Sequence, residues 1–189
     1  MKIRDSGMPH ETWWVSFFDV EEILDRLGLR HLTGDVVDLG CGYGTFTVAA
    51  AARTAGTVHA LDIEPAMVVT TLEKVERMSL DNVSVRQCDF LADGTGLKAA
   101  SCSYVLAFNI LHGADPEALL EEAWRILAPG GRLGILHWIP DPETPRGPDL
   151  AIRPRPEQCQ AWLRAVGFAL EAPHLSLPPY HYGVVGRKA

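Results

Sequence analysis

The sequence predicts one α/β domain built on an open, doubly wound sheet with helices on both faces. Three observations carry this expectation. Short β-branched runs alternate with helical segments, the pattern of parallel strands joined by crossover helices. A glycine ladder, "VVDLGCGYGT" at residues 36–45, directly follows the first apolar run. The chain has 189 residues, the length of one domain that buries a full core without staples.

"DVEEILDRLGL" predicts an amphipathic helix, because Val20, Ile23, Leu24 and Leu27 fall on one helical face. Asp19 suits the N-cap, with Glu22 three residues on. Gly34 breaks the chain before "DVVDLG", a run of the kind buried in parallel sheets. Residues 43–54 predict a helix closed by Gly56. "TVHALDI" is a second strand, and Pro65 suits the first turn of a helix reaching Ser79. "NVSVRQCDF" and "SYVLAFNIL" predict strands three and four. Asp115-Pro116 opens the next helix as N-cap and first residue, and Leu119, Leu120, Ala123, Ile126 and Leu127 form its apolar stripe. Pro129-Gly130-Gly131 stops it, and "RLGILHWI" is a fifth strand. Residues 139–154 are too rich in proline for a helix or sheet interior. A helix from Pro156 to Gly167 turns Cys159, Trp162, Leu163 and Val166 inward. "FALEAPHL" and "YGVVGRK" are closing strands joined by a turn.

Apolar residues make up 47% and charged residues 22%, as in ordinary globular proteins. A net charge of −7 advertises no basic face for nucleic acid or anionic lipid; Arg146, Arg153 and Arg155 form the one modest basic cluster. Cys41, Cys88, Cys102 and Cys159 are irregularly spaced without a C-x-x-C pair, so no metal site is expected. Reduced thiols, and the absence of an apolar core in "MKIRDSGMPHE", predict a cytoplasmic protein. No apolar run approaches the roughly 18 residues of a membrane span.

The glycine ladder decides between nucleotide ligands. A dinucleotide turn needs G-x-G-x-x-G, but here the glycines are Gly40, Gly42 and Gly44, with Thr45 following. Asp38 stands two residues before the turn, where its carboxylate repels a pyrophosphate and suits a ligand carrying ammonium and sulfonium groups.

With "ALDIEPAM", "RQCDF" and "FNILHGADPEALLEEAWRILAPGGRLGI" following in order, the chain resembles the class I S-adenosylmethionine (SAM)-dependent methyltransferases over about residues 33–138. The resemblance implies a Rossmann-like, seven-stranded, mostly parallel sheet with an antiparallel last strand. It implies a single domain, 1–189, with an N-terminal helical lid (1–32), a SAM-binding core (33–138) and a substrate-side segment (139–189). The cofactor is then SAM and the product S-adenosylhomocysteine.

Asp62 ends the second strand, where a carboxylate accepts hydrogen bonds from both ribose hydroxyls; NAD uses an acid there in the same way. By resemblance, Asp89 meets the adenine amine, Ile63 and Phe90 sandwich its ring, and Met67 is a further wall. Asn109 lies beneath the methionine moiety. Gly40, Cys41, Gly42 and Gly44 bring backbone close to it, and Asp38 complements its positive groups. At this stage Asp62 as a helix cap, Asp89 as a turn residue and the apolar three as plain core stay open.

Methyl transfer from a sulfonium needs alignment above all, and a base only where the acceptor holds its proton. His112 and His137, at strand carboxyl ends, are the candidate bases. The fourth strand ends in Asn109-Ile110-Leu111-His112, without the proline pair common in nucleobase and amide N-methyltransferases. It looks more like the small-molecule branch, including quinone C-methyltransferases, so the expected partner is a small-molecule acceptor. Trp13, Trp14, Phe17, Tyr180, His181 and Tyr182, with the proline-rich loop, are the candidate cover over it. Two other readings stand beside this one: a SAM-binding regulatory or partner protein without transferase activity, and an NAD(P)-dependent oxidoreductase.

Overall fold

The structure, a computed structural model, describes residues 8–189. The first seven residues of the expected lid lie outside the described residues. In chain order the elements are α1 (Glu11–Val15), α2 (Val20–Arg26), β1 (Asp35–Leu39), α3 (Thr45–Ala51), β2 (Val58–Asp62), α4 (Pro65–Arg77), β3 (Val83–Gln87), β4 (Cys102–Phe108), α5 (Pro116–Ile126), β5 (Leu127–Trp138), α6 (Pro156–Val166), β6 (Ala169–Leu177) and β7 (His181–Arg187). The seven strands form one sheet in the order β3-β2-β1-β4-β5-β7-β6. β1 to β5 are parallel, and β7 enters antiparallel between β5 and β6.

Strand parity divides the core between the two faces. Val37, Leu39, Val105, Ala107, Leu133 and Ile135 pack with Leu120 and Ala123 of α5 and Leu163 of α6. Their neighbours Val36, Tyr104, Leu106 and Leu136 pack on the other face, with Ile23 and Leu24 of α2 and Phe46 of α3. Side chains alternate along each strand, so fully apolar runs feed both layers. The predicted caps form as well. Asp19 accepts from the amide of Glu22 and Asp115 from that of Ala118, at 3.1 and 2.9 Å; each is worth about 1 kcal/mol.

Some boundaries differ from expectation. Pro129-Gly130-Gly131 does not separate a helix from a strand, because β5 already begins at Leu127. The three residues form a bulge: partners shift from Cys102 with Leu127 to Tyr104 with Arg132. Helix α3 starts at Thr45, later than expected, because Gly40, Gly42 and Gly44 are all left-handed. β4 stops at Phe108, where Asn109 turns the chain with φ of 56°.

The strand order reverses between β1 and β4, so a crevice opens above their carboxyl ends, where ligands of such sheets bind. Each of the first five strands sends a residue there: Gly40, Asp62, Asp89, Asn109 and Trp138.

Candidate active site

The glycine ladder forms the near wall of a cleft of about 300 Å³. Gly40 and Cys41 both donate amides to the Leu61 carbonyl, at 2.8 and 3.1 Å, which pins the turn to β2. A side chain at Gly40 would come within 3.0 Å of Ile110, and one at Gly44 within 2.8 Å of Thr71. The glycines are therefore required by backbone angle and by space. Gly44 faces Thr71 and is not on the cleft lining. Cys41 is on it, but burial and the neighbouring Asp38 and Asp62 push its thiol pKa far up, so it is no nucleophile.

Two carboxylates converge under this turn. Asp38 is 3% exposed and accepts from the Thr47 hydroxyl at 2.6 Å. Burial pushes its pKa up to about 6, opposed by the Thr47 hydrogen bond and reinforced by Asp62. Asp62 accepts amides from Gly42 at 2.8 Å and Glu64 at 2.9 Å, one on each oxygen. Burial raises its pKa too, against those two bonds. Carboxylate oxygens carry about four lone-pair sites in all, so Asp62 caps the loop and keeps acceptor capacity. Such a pair disfavours a pyrophosphate and favours hydroxyl donors and cations.

Across the cleft, Asn109 lines the wall, yet neither its Oδ1 nor its Nδ2 has a protein partner; Thr45 Oγ1 is in the same condition. Buried polar atoms of this kind are costly unless a ligand or water meets them. They fit a cofactor with a polar amino-acid end. Ile63, Asp89 and Phe90 also line the cleft, whereas Met67 does not. Asp89 additionally closes a turn, accepting the amide of Ala92 at 3.2 Å.

His112 lines the cleft, and its Nδ1 lies 3.4 Å from Nε2 of His137. The expectation that His137 faces the cleft is corrected: it is 0% exposed, on the same strand face as Leu133 and Ile135, and stands behind His112. Burial lowers the pKa of both histidines, and that of His137 well below the ordinary value, helped by His112. Both rings are thus neutral near pH 7.

The expected aromatic cover divides. Trp14 lines the cleft, and Trp13 is 47% exposed with the Arg146 guanidinium 5.8 Å from its ring centre. Phe17 is buried against Trp138, 5.3 Å between centres. Tyr180 packs beside Phe17 and Trp138. Tyr182 is buried on the far face of the sheet, donating to the Pro154 carbonyl at 2.7 Å, and is no part of the cover. His181 stacks against Trp138 at 4.2 Å and Phe18 at 4.7 Å.

Tyr43, Lys74 and Met8, which the sequence did not mark, join the expected proline-rich loop in completing the rim. The Tyr43 hydroxyl donates to the Pro9 carbonyl at 2.9 Å, and buried Lys74 pairs with Glu11 at 2.5 Å. These contacts hold the segment that places Met8, Pro9 and Trp14 over the glycine turn. Opposite them, Arg146, Gly147 and Pro148 come from the proline-rich loop. Among the described residues no cluster of side chains suits a metal ion, and no helix is long and apolar enough to cross a membrane.

Fold and site together define a doubly wound α/β protein whose cleft suits a nucleoside ligand with cationic rather than phosphate groups. Comparison with known proteins agrees. The methyltransferase-domain family model matches residues 36–131, and the chain belongs to that family, among the class I SAM-dependent methyltransferases. It is 29% identical to aklanonic acid methyltransferase of Streptomyces sp. strain C5, over 67% of this chain and 63% of that protein. It is 33% identical to demethylmenaquinone methyltransferase of Thermus thermophilus, over 62% of this chain and 53% of that one. The chain thus spans less than two thirds of either relative. A SAM-dependent methyltransferase structure from Aquifex aeolicus superimposes with a TM-score of 0.83 at 24% identity, covering 99% of this chain and 97% of that one, a likeness of fold.

Proposed function

We propose that this chain transfers a methyl group from SAM to a small-molecule acceptor. The observation that carries the reading is the pairing of Asp38 and Asp62 beneath the left-handed glycine turn, facing the unpartnered Asn109 amide across one cleft. In this reading Asp62 holds the ribose hydroxyls, and Asp89, Ile63 and Phe90 hold the adenine. Asp38, Asn109 and the backbone of Gly40 to Gly42 hold the methionine end. When bound, SAM supplies a methyl group already activated on a sulfonium, displaced by SN2 attack.

The protein's own part is then positional. Orientation of the reactants supplies about 7–11 kcal/mol in well-aligned systems. The rim segment around Trp14 and the loop around Pro148 exclude water. His112 is neutral and has its Nδ1 turned to His137, so Nε2 is the nitrogen left to take a proton from the acceptor. His137 orients that ring and does not touch the acceptor.

The acceptors named for the relatives, aklanonic acid and demethylmenaquinone, begin the panel to test. Incubation with methyl-labelled SAM should transfer label to an acceptor, with release of S-adenosylhomocysteine. Tight SAM binding without transfer to any small molecule would instead support a SAM-binding protein without transferase activity.

A further inference from the structure

We propose that Lys74 is a positioning residue that ties the N-terminal cover to the glycine turn, so that filling the cofactor cleft and seating the cover are coupled. This rests on the methyltransferase reading and adds to it the way the site closes. Helix α4 holds the turn from behind with two side chains, Thr71 and Lys74, three residues apart on one helical face. Both are buried. The Thr71 hydroxyl donates to the Gly42 carbonyl at 2.8 Å, and Lys74 Nζ donates to the next carbonyl, that of Tyr43, at 2.5 Å. The same Nζ lies 2.5 Å from Oε1 of Glu11, the first residue of α1. One ammonium thus joins the backbone of the glycine turn to the cover.

The cover depends on such ties. Helix α1 has five residues, far below the roughly 12–15 at which an isolated helix holds itself, and none of the five is buried. Its N-cap, His10, makes no side-chain cap bond. Its place is set instead by Glu11 on Lys74, by the Pro9 carbonyl on the Tyr43 hydroxyl, and by Trp14 against Trp138, with ring centres 6.4 Å apart. Tyr43 therefore meets the cover twice, directly through its hydroxyl and, by way of Lys74, through its carbonyl. Pro9 and Trp14 line the cleft together with Gly40 and Gly42, whereas Glu11 and Lys74 do not. A buried lysine costs desolvation that an apolar side chain would not, and only its partners offset it. Here the partners are a carbonyl one residue past Gly42 and a carboxylate on the cover. A ligand packed on Gly40 to Gly42 restrains Tyr43, and through it the ammonium and Glu11. By linkage, a seated cover tightens the ligand by the same factor.

The test follows chymotrypsin cleavage after Trp13, Trp14, Phe17 and Phe18, with and without S-adenosylhomocysteine, beside the calorimetric Kd for that product. In the wild-type protein the product should slow cleavage about fivefold or more, the low end of ordinary coupling between sites. Glu11→Gln removes the charge on the cover and leaves every cleft-lining residue in place. It should weaken product binding about threefold to tenfold and lose most of the protection. Lys74→Met should do the same, and the double variant should be no worse than Lys74→Met alone, because the pair acts as one unit. A merely structural pair would lower Tm while leaving the Kd and the protection ratio unchanged, and that result overturns the proposal. Equal cleavage of the wild-type protein with and without product overturns it too, as do additive losses in the double variant. Glu11 is partly exposed, so Glu11→Gln stays folded and decides the matter even where Lys74→Met does not fold. Failure of the wild-type protein to bind S-adenosylhomocysteine is a separate result: it overturns the methyltransferase reading, and this proposal with it.

Discussion

His112 and His137 meet ring to ring, Nδ1 to Nε2 at 3.4 Å, one on the cleft wall and one sealed beneath it. Two neutral rings share such a contact through a single proton, so the state of the buried ring fixes which proton the exposed ring carries.

Burial holds the His112 pKa below its ordinary value of 6.5, so the ring is in its basic form at neutral pH. For an acceptor that must lose a proton, kcat/KM should be level above about pH 6.5 and fall on the acid side. His112→Ala should lower kcat by about 10² to 10⁴-fold and abolish the acid limb. His137→Gln, which keeps a polar partner for His112, should retain more activity than His137→Phe. An unchanged pH profile in His112→Ala would remove the base from the mechanism.

Stability should carry the mark of a second histidine. Burial lowers the His181 pKa to about 3, against an ordinary 6.5. Between those values the unfolded chain binds the proton and the folded one does not, so stability is present above pH 6.5 and is lost as pH falls toward 3. Replacing His181 with Phe keeps an aromatic ring against Trp138 and Phe18 and should flatten the decline of Tm between pH 7 and 5.

Asp38 works in the opposite sense. Its pKa, raised by burial to about 6 from 3.8, gives a contribution that is present below 3.8 and is lost as pH rises through 6. A cationic ligand beside it pulls the pKa back down. Calorimetry at pH 6 in buffers of different ionisation enthalpy should therefore show SAM binding coupled to release of roughly half a proton, absent in Asp38→Asn. Proton uptake would contradict this placement of the ligand's charge.

The Arg153 loop gives a test that needs no substrate. Arg153→Met removes the guanidinium that gathers the carbonyls of Ile139, Asp141, Arg146 and Pro148. The cost should be about 1–3 kcal/mol, with new proteolytic cleavage confined to the loop. A variant as protease-resistant as the wild type would show that the loop holds itself.

The order of strands and helices was legible because each element repeats its apolar residues locally, and so were the acids at strand ends, because the glycine turn marks where the first strand stops. The bulge at Pro129-Gly130-Gly131 was not, since the same residues suit a helix stop, and only pairing with β4 distinguishes the two. Strand parity held an unused signal. His137 follows Leu133 and Ile135 in alternation, and Tyr182 precedes Val184, which places both in the core on one face, opposite His181. Met8 reaches the cleft through contacts across the whole chain, for which no local pattern exists, whereas Arg146 lies in the proline-rich loop that the sequence offered as cover.

The central claim is that the glycine cleft holds SAM, and calorimetric titration with SAM and with NADH tests it most directly. SAM should bind saturably at one site per chain, about 10- to 100-fold more weakly in Asp62→Asn, and NADH should give no heat of binding. Saturable NADH binding without SAM binding would contradict the account.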